Sequence, residues 1–93
     1  MEMDRNKKFD AIVARAKALD AAKKTETFDD LRHWLNANGF TNGWGNPYHT
    51  SRGVAKLVSA LWAYVAYEQG LGEAGAEPVK WAFTDQNGYY AFE

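Results

Sequence analysis

The chain has 93 residues, no cysteine, 15% aromatic residues and a formal net charge of −1 at pH 7. That length supports a single domain, 1–93, whose folding buries roughly 60 to 70% of the surface of the unfolded chain, and without cysteine neither disulfides nor thiolate metal sites contribute to it. No apolar run approaches the ~20 residues of a membrane span, and the start Met1-Glu2-Met3-Asp4-Arg5-Asn6-Lys7-Lys8 is not followed by a signal-peptide core, so no membrane partner and a cytoplasmic location are expected.

From Asp4 to Lys24, Phe9, Ile12, Val13 and Leu19, with Ala16 between them, fall along one side of a helix. Lys7, Lys8, Arg15, Lys17 and Lys24 are expected on its solvated side, and Asp4 with Lys8 and Asp20 with Lys24 have the spacing of helix-supporting ion pairs. A second helix is predicted from Thr27, whose hydroxyl caps the first turn while Asp29 and Asp30 face the positive end of the helix dipole. Its apolar side is Phe28, Leu31, Trp34 and Leu35, and Gly39 ends it.

The third helix, from Ser51 or Arg52 to Gln69, is the most apolar segment, with Val54, Leu57, Val58, Leu61, Trp62 and Val65 plus Tyr64 and Tyr67, and is expected at the centre of the core. Its polar stripe is Arg52, Lys56, Ser59 and Ala63. Gly70 to Pro78 reads as a flexible acidic connection. Residues 79–92 then carry the Asn87-Gly88 signature of a β-hairpin. A two-residue turn pairs Phe83 with Phe92 and a four-residue turn pairs Phe83 with Tyr90. Both put Val79, Trp81, Phe83, Tyr90 and Phe92 on the inner face and Lys80, Ala82, Thr84, Tyr89 and Ala91 outside. The predicted fold is α+β: three helices packed around the third, with a C-terminal hairpin.

Between the second and third helices lies Gly39-Phe40-Thr41-Asn42-Gly43-Trp44-Gly45-Asn46-Pro47-Tyr48-His49-Thr50-Ser51-Arg52-Gly53. Loops of this length are uncommon in small domains and are usually functional or disordered, and three large aromatics argue against disorder. Phe40 reads as core and His49 and Arg52 as exposed; for Trp44 both a core-capping and an exposed position are open.

Catalytic signals are sparse. His33 follows Asp29 at helical spacing, which suits a surface ion pair better than a metal site, since zinc takes at least three protein ligands. His49-Thr50-Ser51 is more simply a helix cap than part of a triad, and Gly43-Trp44-Gly45 lacks the lysine and the strand-to-helix setting of a phosphate-binding loop. No enzyme activity, metal or cofactor is expected.

Trp, Tyr and Arg dominate binding energy at protein interfaces, so the expected function is that of a small non-enzymatic binder. It would occupy a site on a larger protein or nucleoprotein complex through Trp44, Tyr48, His49, Arg52 and Lys56, inhibiting or regulating it. Short cysteine-free chains of this kind are common among phage and mobile-element accessory proteins, anti-CRISPR-type inhibitors included, an analogy of size and composition. The alternative is a winged-helix-like DNA-binding regulator, with three helices followed by a hairpin wing. Nucleic acid would then be met by Arg52 and Lys56, with Lys7, Lys8, Arg15 and Lys17 as a second basic surface. A homodimer through the outward Ala82, Tyr89 and Ala91 edge is a further expectation.

Overall fold

The computed structural model describes residues 5–91. Its elements in chain order are α1 (Arg5–Ala21), β1 (Glu26–Thr27), α2 (Phe28–Ala37), α3 (Ser51–Ala63), a π-helical turn (Tyr64–Glu68), α4 (Gly72–Ala82) and β2 (Phe83–Thr84). The class is α+β, with a fourth helix in addition to the three expected. Asp4, expected at the start of the first helix, and Phe92, expected on the inner face of the hairpin, lie outside the described residues.

Capping accounts for where the helices begin and end. Thr27 Oγ1 accepts from the Asp30 amide at 3.0 Å, and Thr50 Oγ1 accepts from the Gly53 amide at 3.1 Å, each satisfying an amide that has no partner within its helix. At the end of α2 the amide of Phe40 donates to Leu35 O and that of Gly39 to Asn36 O, with Gly39 at φ +75°, and Phe40 rests against Trp34 at 5.9 Å between ring centroids. These bonds and that contact define a Schellman stop. α1 ends with the same two bonds, Lys24 to Leu19 O and Lys23 to Asp20 O, but with Lys23 at φ 56° where glycine is usual.

α3 lies between α2 and α4, and α1 packs on α4. Phe9, Ile12 and Ala16 from α1, Phe28, Leu31 and Leu35 from α2, Val54, Val58 and Leu61 from α3, and Ala76, Val79 and Ala82 from α4 form one core with Phe83. β1 and β2 pair in parallel, Glu26 with Phe83 and Thr27 with Thr84, tying the segment before α2 to the end of α4. Arg15 closes this corner. Its guanidinium makes two hydrogen bonds to Glu26, at 2.7 and 2.6 Å, and stacks 4.7 Å over the Trp34 ring.

The C-terminal third departs from its predicted form. Gly70–Pro78 is not a flexible connection, because most of it belongs to α4, where Ala76 is fully buried and Pro78 sits inside the helix. Burial of Ala76, Val79 and Ala82 along one side outweighs the poor propensity of glycine and proline. With residues 79–82 helical, Trp81 lies at the surface and Ala82 is buried, the reverse of the predicted faces. Among the described residues, all that persists of the hairpin is the antiparallel bridge Thr84↔Tyr90 closing the loop 85–89. No two-stranded wing therefore follows the helices among the described residues, and the Ala82, Tyr89, Ala91 edge is broken by the burial of Ala82.

Candidate functional site

The loop from Phe40 to Thr50 is held at its base by side chains from two helices. Asn36, in the last turn of α2, grips the Tyr48 peptide from both sides: its Oδ1 accepts from the Tyr48 amide at 2.9 Å and its Nδ2 donates to the Tyr48 carbonyl at 2.9 Å. Arg32, one turn earlier, donates to the same carbonyl at 3.4 Å. From α1, Lys8 Nζ donates to Thr41 O at 2.9 Å and to the Tyr48 hydroxyl at 2.8 Å, so one ammonium joins the two ends of the loop.

Tyr48 and Lys8 are both buried. Burial lowers the pKa of Lys8 from the ordinary 10.5 and raises that of Tyr48 from 10.0, because a low-dielectric site disfavours the charged form of each. This corrects two expectations. Tyr48 anchors the loop from within and presents no ring to a partner, and Lys8 does not contribute to a basic surface. Arg15 is half-buried and already engaged by Glu26 and Trp34, whereas Lys7 and Lys17 are exposed.

The tip of the loop is a closed turn. The Asn42 amide donates to Asn46 O at 2.8 Å and the Gly45 amide to Asn42 O at 3.0 Å, while Asn42 Oδ1 accepts from the amides of Trp44 at 2.8 Å and Asn46 at 3.1 Å. Gly45 takes φ +80°, the left-handed conformation this turn requires. The backbone of Trp44 is thereby fixed, yet its side chain is 90% exposed. His49, Arg52 and Lys56, which follow along the chain, are exposed as well, and Phe40 is half-buried against the core.

Of the holding residues, Arg32 and Asn36 carry no signal in the sequence, and Lys8 reads there as a surface cation. For Lys8 a signal exists: it stands four residues before Ile12 and eight before Ala16, on the face that α1 buries.

His33 Nε2 lies 3.3 Å from Asp29 Oδ2 on exposed surface, and Arg32 bonds Asp29 at 2.9 Å. The hydrogen bond from Arg32 holds Asp29 below its ordinary 3.8; desolvation opposes this, and the charges of Arg32 and His33 assist it. A largely polar cleft lined by Thr27, Phe28, Asp29, Ser51, Asp85, Gln86 and Asn87 opens where α2 and α3 begin, and neither histidine lines it. Among the described residues no group of three or more histidine, aspartate or glutamate side chains is placed to hold a metal ion, and no helix is long and apolar enough to cross a membrane. Compared with protein-family models, with curated proteins and with solved structures, the chain matches none of them significantly.

Proposed function

We propose that this chain is a non-enzymatic binding protein that covers a site on a larger macromolecular partner, with Trp44 as its anchor. The observation that carries this reading is an indole 90% exposed on a backbone that Asn42, Asn36 and Lys8 already hold in place. A tryptophan in water forgoes the gain of burying a large apolar surface, and a partner pocket supplies that gain. Because the loop is ordered beforehand, little conformational entropy is lost on binding. Arg52, Lys56 and His49, exposed further along the chain, supply polar groups. Inhibition or regulation by occlusion in the cytoplasm, in the manner of phage and mobile-element accessory proteins such as anti-CRISPR-type inhibitors, is the mode proposed.

The test is an affinity pull-down of the tagged chain from host-cell lysate, with and without nuclease, beside the Trp44→Ala and Arg52→Ala variants. A protein complex is expected to survive nuclease and to be lost with Trp44→Ala. Loss of one hot-spot tryptophan weakens binding about thirtyfold, equivalent to about 2 kcal/mol, while stability changes by no more than about 0.5 kcal/mol because the side chain touches little of the fold. Undiminished recovery with Trp44→Ala would overturn the reading. Recovery that vanishes with nuclease would transfer it to duplex binding through Arg52, Lys56, Lys7 and Lys17.

A further inference from the structure

A second surface, built by α3, the π turn and α4, joins aromatic rings to carboxylates. Trp62 meets Tyr67 edge-on with centroids 5.8 Å apart, and Trp81 meets Tyr90 edge-on at 5.0 Å. Between the two pairs stands Lys80, its Nζ 5.8 Å from the Trp62 ring and 5.0 Å from the Trp81 ring. Tyr67 is 64% and Trp81 42% exposed. Two exposed carboxylates orient the rings: Glu73 accepts from the Tyr67 hydroxyl at 3.3 Å, and Glu77 accepts from the Trp81 indole N–H.

The chemistry of this line selects its occupant. Aromatic platforms of this kind also stack the bases of single-stranded nucleic acid, but such sites run along a positive groove, and here the stretch that holds the four rings, residues 62–90, carries Glu68, Glu73, Glu77 and Asp85 against Lys80 alone. Phosphate is repelled by that balance. A cation is attracted by both halves of the surface, since indole faces take ammonium or guanidinium and carboxylates pair with it. Lys80 already occupies that position over two indoles from within the chain. We infer that this face docks a basic, arginine-bearing segment of a partner protein, through Trp81, Tyr67, Glu73 and Glu77. The surface shares no residue with the Trp44 loop, so the two readings stand or fall separately.

The experiment is a nuclear magnetic resonance titration of the full ¹⁵N-labelled chain with a short synthetic peptide of alternating arginine and serine. A glutamate–serine peptide and an oligothymidylate are titrated in parallel. The indole N–H signals of Trp81 and Trp62 are expected to shift saturably with the arginine peptide alone, and that of Trp44 to stay in place. Glu73→Gln with Glu77→Gln keeps an acceptor for each ring and is expected to weaken binding about tenfold, as is Trp81→Ala. Asp20→Asn with Asp30→Asn removes the same charge elsewhere and is expected to leave the affinity unchanged. Absence of shifts at Trp81, equal weakening by the Asp20 and Asp30 pair, or equal response to oligothymidylate would each overturn the inference.

Discussion

Tyr48 and Trp44 stand four residues apart in one loop, yet one is buried and the other fully displayed. Hydrogen bonding separates them. Tyr48 brings a hydroxyl that accepts from Lys8 and a peptide that Asn36 grips from both sides, so its burial leaves its polar groups satisfied. Trp44 sits in a turn that closes on itself through Asn42, which leaves the indole outside. Tyr48→Phe removes one of the two acceptors of a buried ammonium and is expected to cost about 1–3 kcal/mol in urea denaturation. Its pH dependence has a definite sign. Because burial raises the Tyr48 pKa, the unfolded chain loses this proton first once the pH passes 10.0, and stability falls as pH rises further. Lys8 acts oppositely: its pKa is lowered, so as pH approaches 10.5 the folded chain releases the proton first and the charge-burial penalty is relieved. The stability advantage of the natural chain over Tyr48→Phe is therefore expected to shrink above pH 10.0, which denaturation at a series of alkaline pH values will measure.

At the scale of elements, one turn occurs twice. Residues 85–89 repeat the hydrogen bonds of 42–46: Asp85 N–H to Tyr89 O, Gly88 N–H to Asp85 O, and Asp85 Oδ1 accepting from the amides of Asn87 and Tyr89, with Gly88 at φ +87°. The shared pattern is Asx-x-x-Gly, with a positive φ at the glycine and not at the residue before it. Asn87-Gly88 predicts a two-residue turn pairing Phe83 with Phe92 or a four-residue turn pairing Phe83 with Tyr90; the observed five-residue turn, with positive φ at Gly88 alone, gives Thr84↔Tyr90, one residue away from either register. Such a slip exchanges the faces of a strand. Two substitutions check the backbone argument. Gly45→Ala meets no atom within 4 Å, so its cost is conformational and is expected to be about 1 kcal/mol, whereas Gly43→Ala, also in open space and at ordinary φ, is expected to be neutral or slightly stabilising. Lys23 occupies the left-handed stop of α1 where glycine is free of strain, and Lys23→Gly is expected to raise stability by about 0.5–1 kcal/mol after the added flexibility of the unfolded chain is deducted. Chemical denaturation midpoints at constant m-value read all three.

The whole molecule is closed by contacts distant in sequence. β2 reaches back to β1 across three helices, and Phe83, at their junction, is fully buried. Phe83→Ala is expected to cost about 3–5 kcal/mol, a large share of the roughly 5–15 kcal/mol that holds a domain folded, and to lower the thermal transition steeply. Trp44→Ala, of larger volume change but at the surface, is expected to leave that transition in place. The comparison separates the residues that hold the fold from the one proposed to meet a partner.

Local chemistry was enough to place α2 and the start of α3, because Thr27, Thr50 and Gly39 act on amides and carbonyls a few residues away. The apolar faces of α1, α2 and α3 were legible for the same reason, apart from Lys8, because helical periodicity is written in neighbouring residues; the α+β class holds through a parallel β1–β2 pair where a hairpin is predicted. The fate of Tyr48, the helicity of 72–82 and the exposure of Trp81 were decided by tertiary structure. Each depends on a group far along the chain: Lys8 lies 40 residues from Tyr48, and α4 is stabilised by burying Ala76 and Val79 in a core shared with α1 and α3. Glycine and proline in that segment state a local preference for irregular chain, and burial against distant helices overrides it.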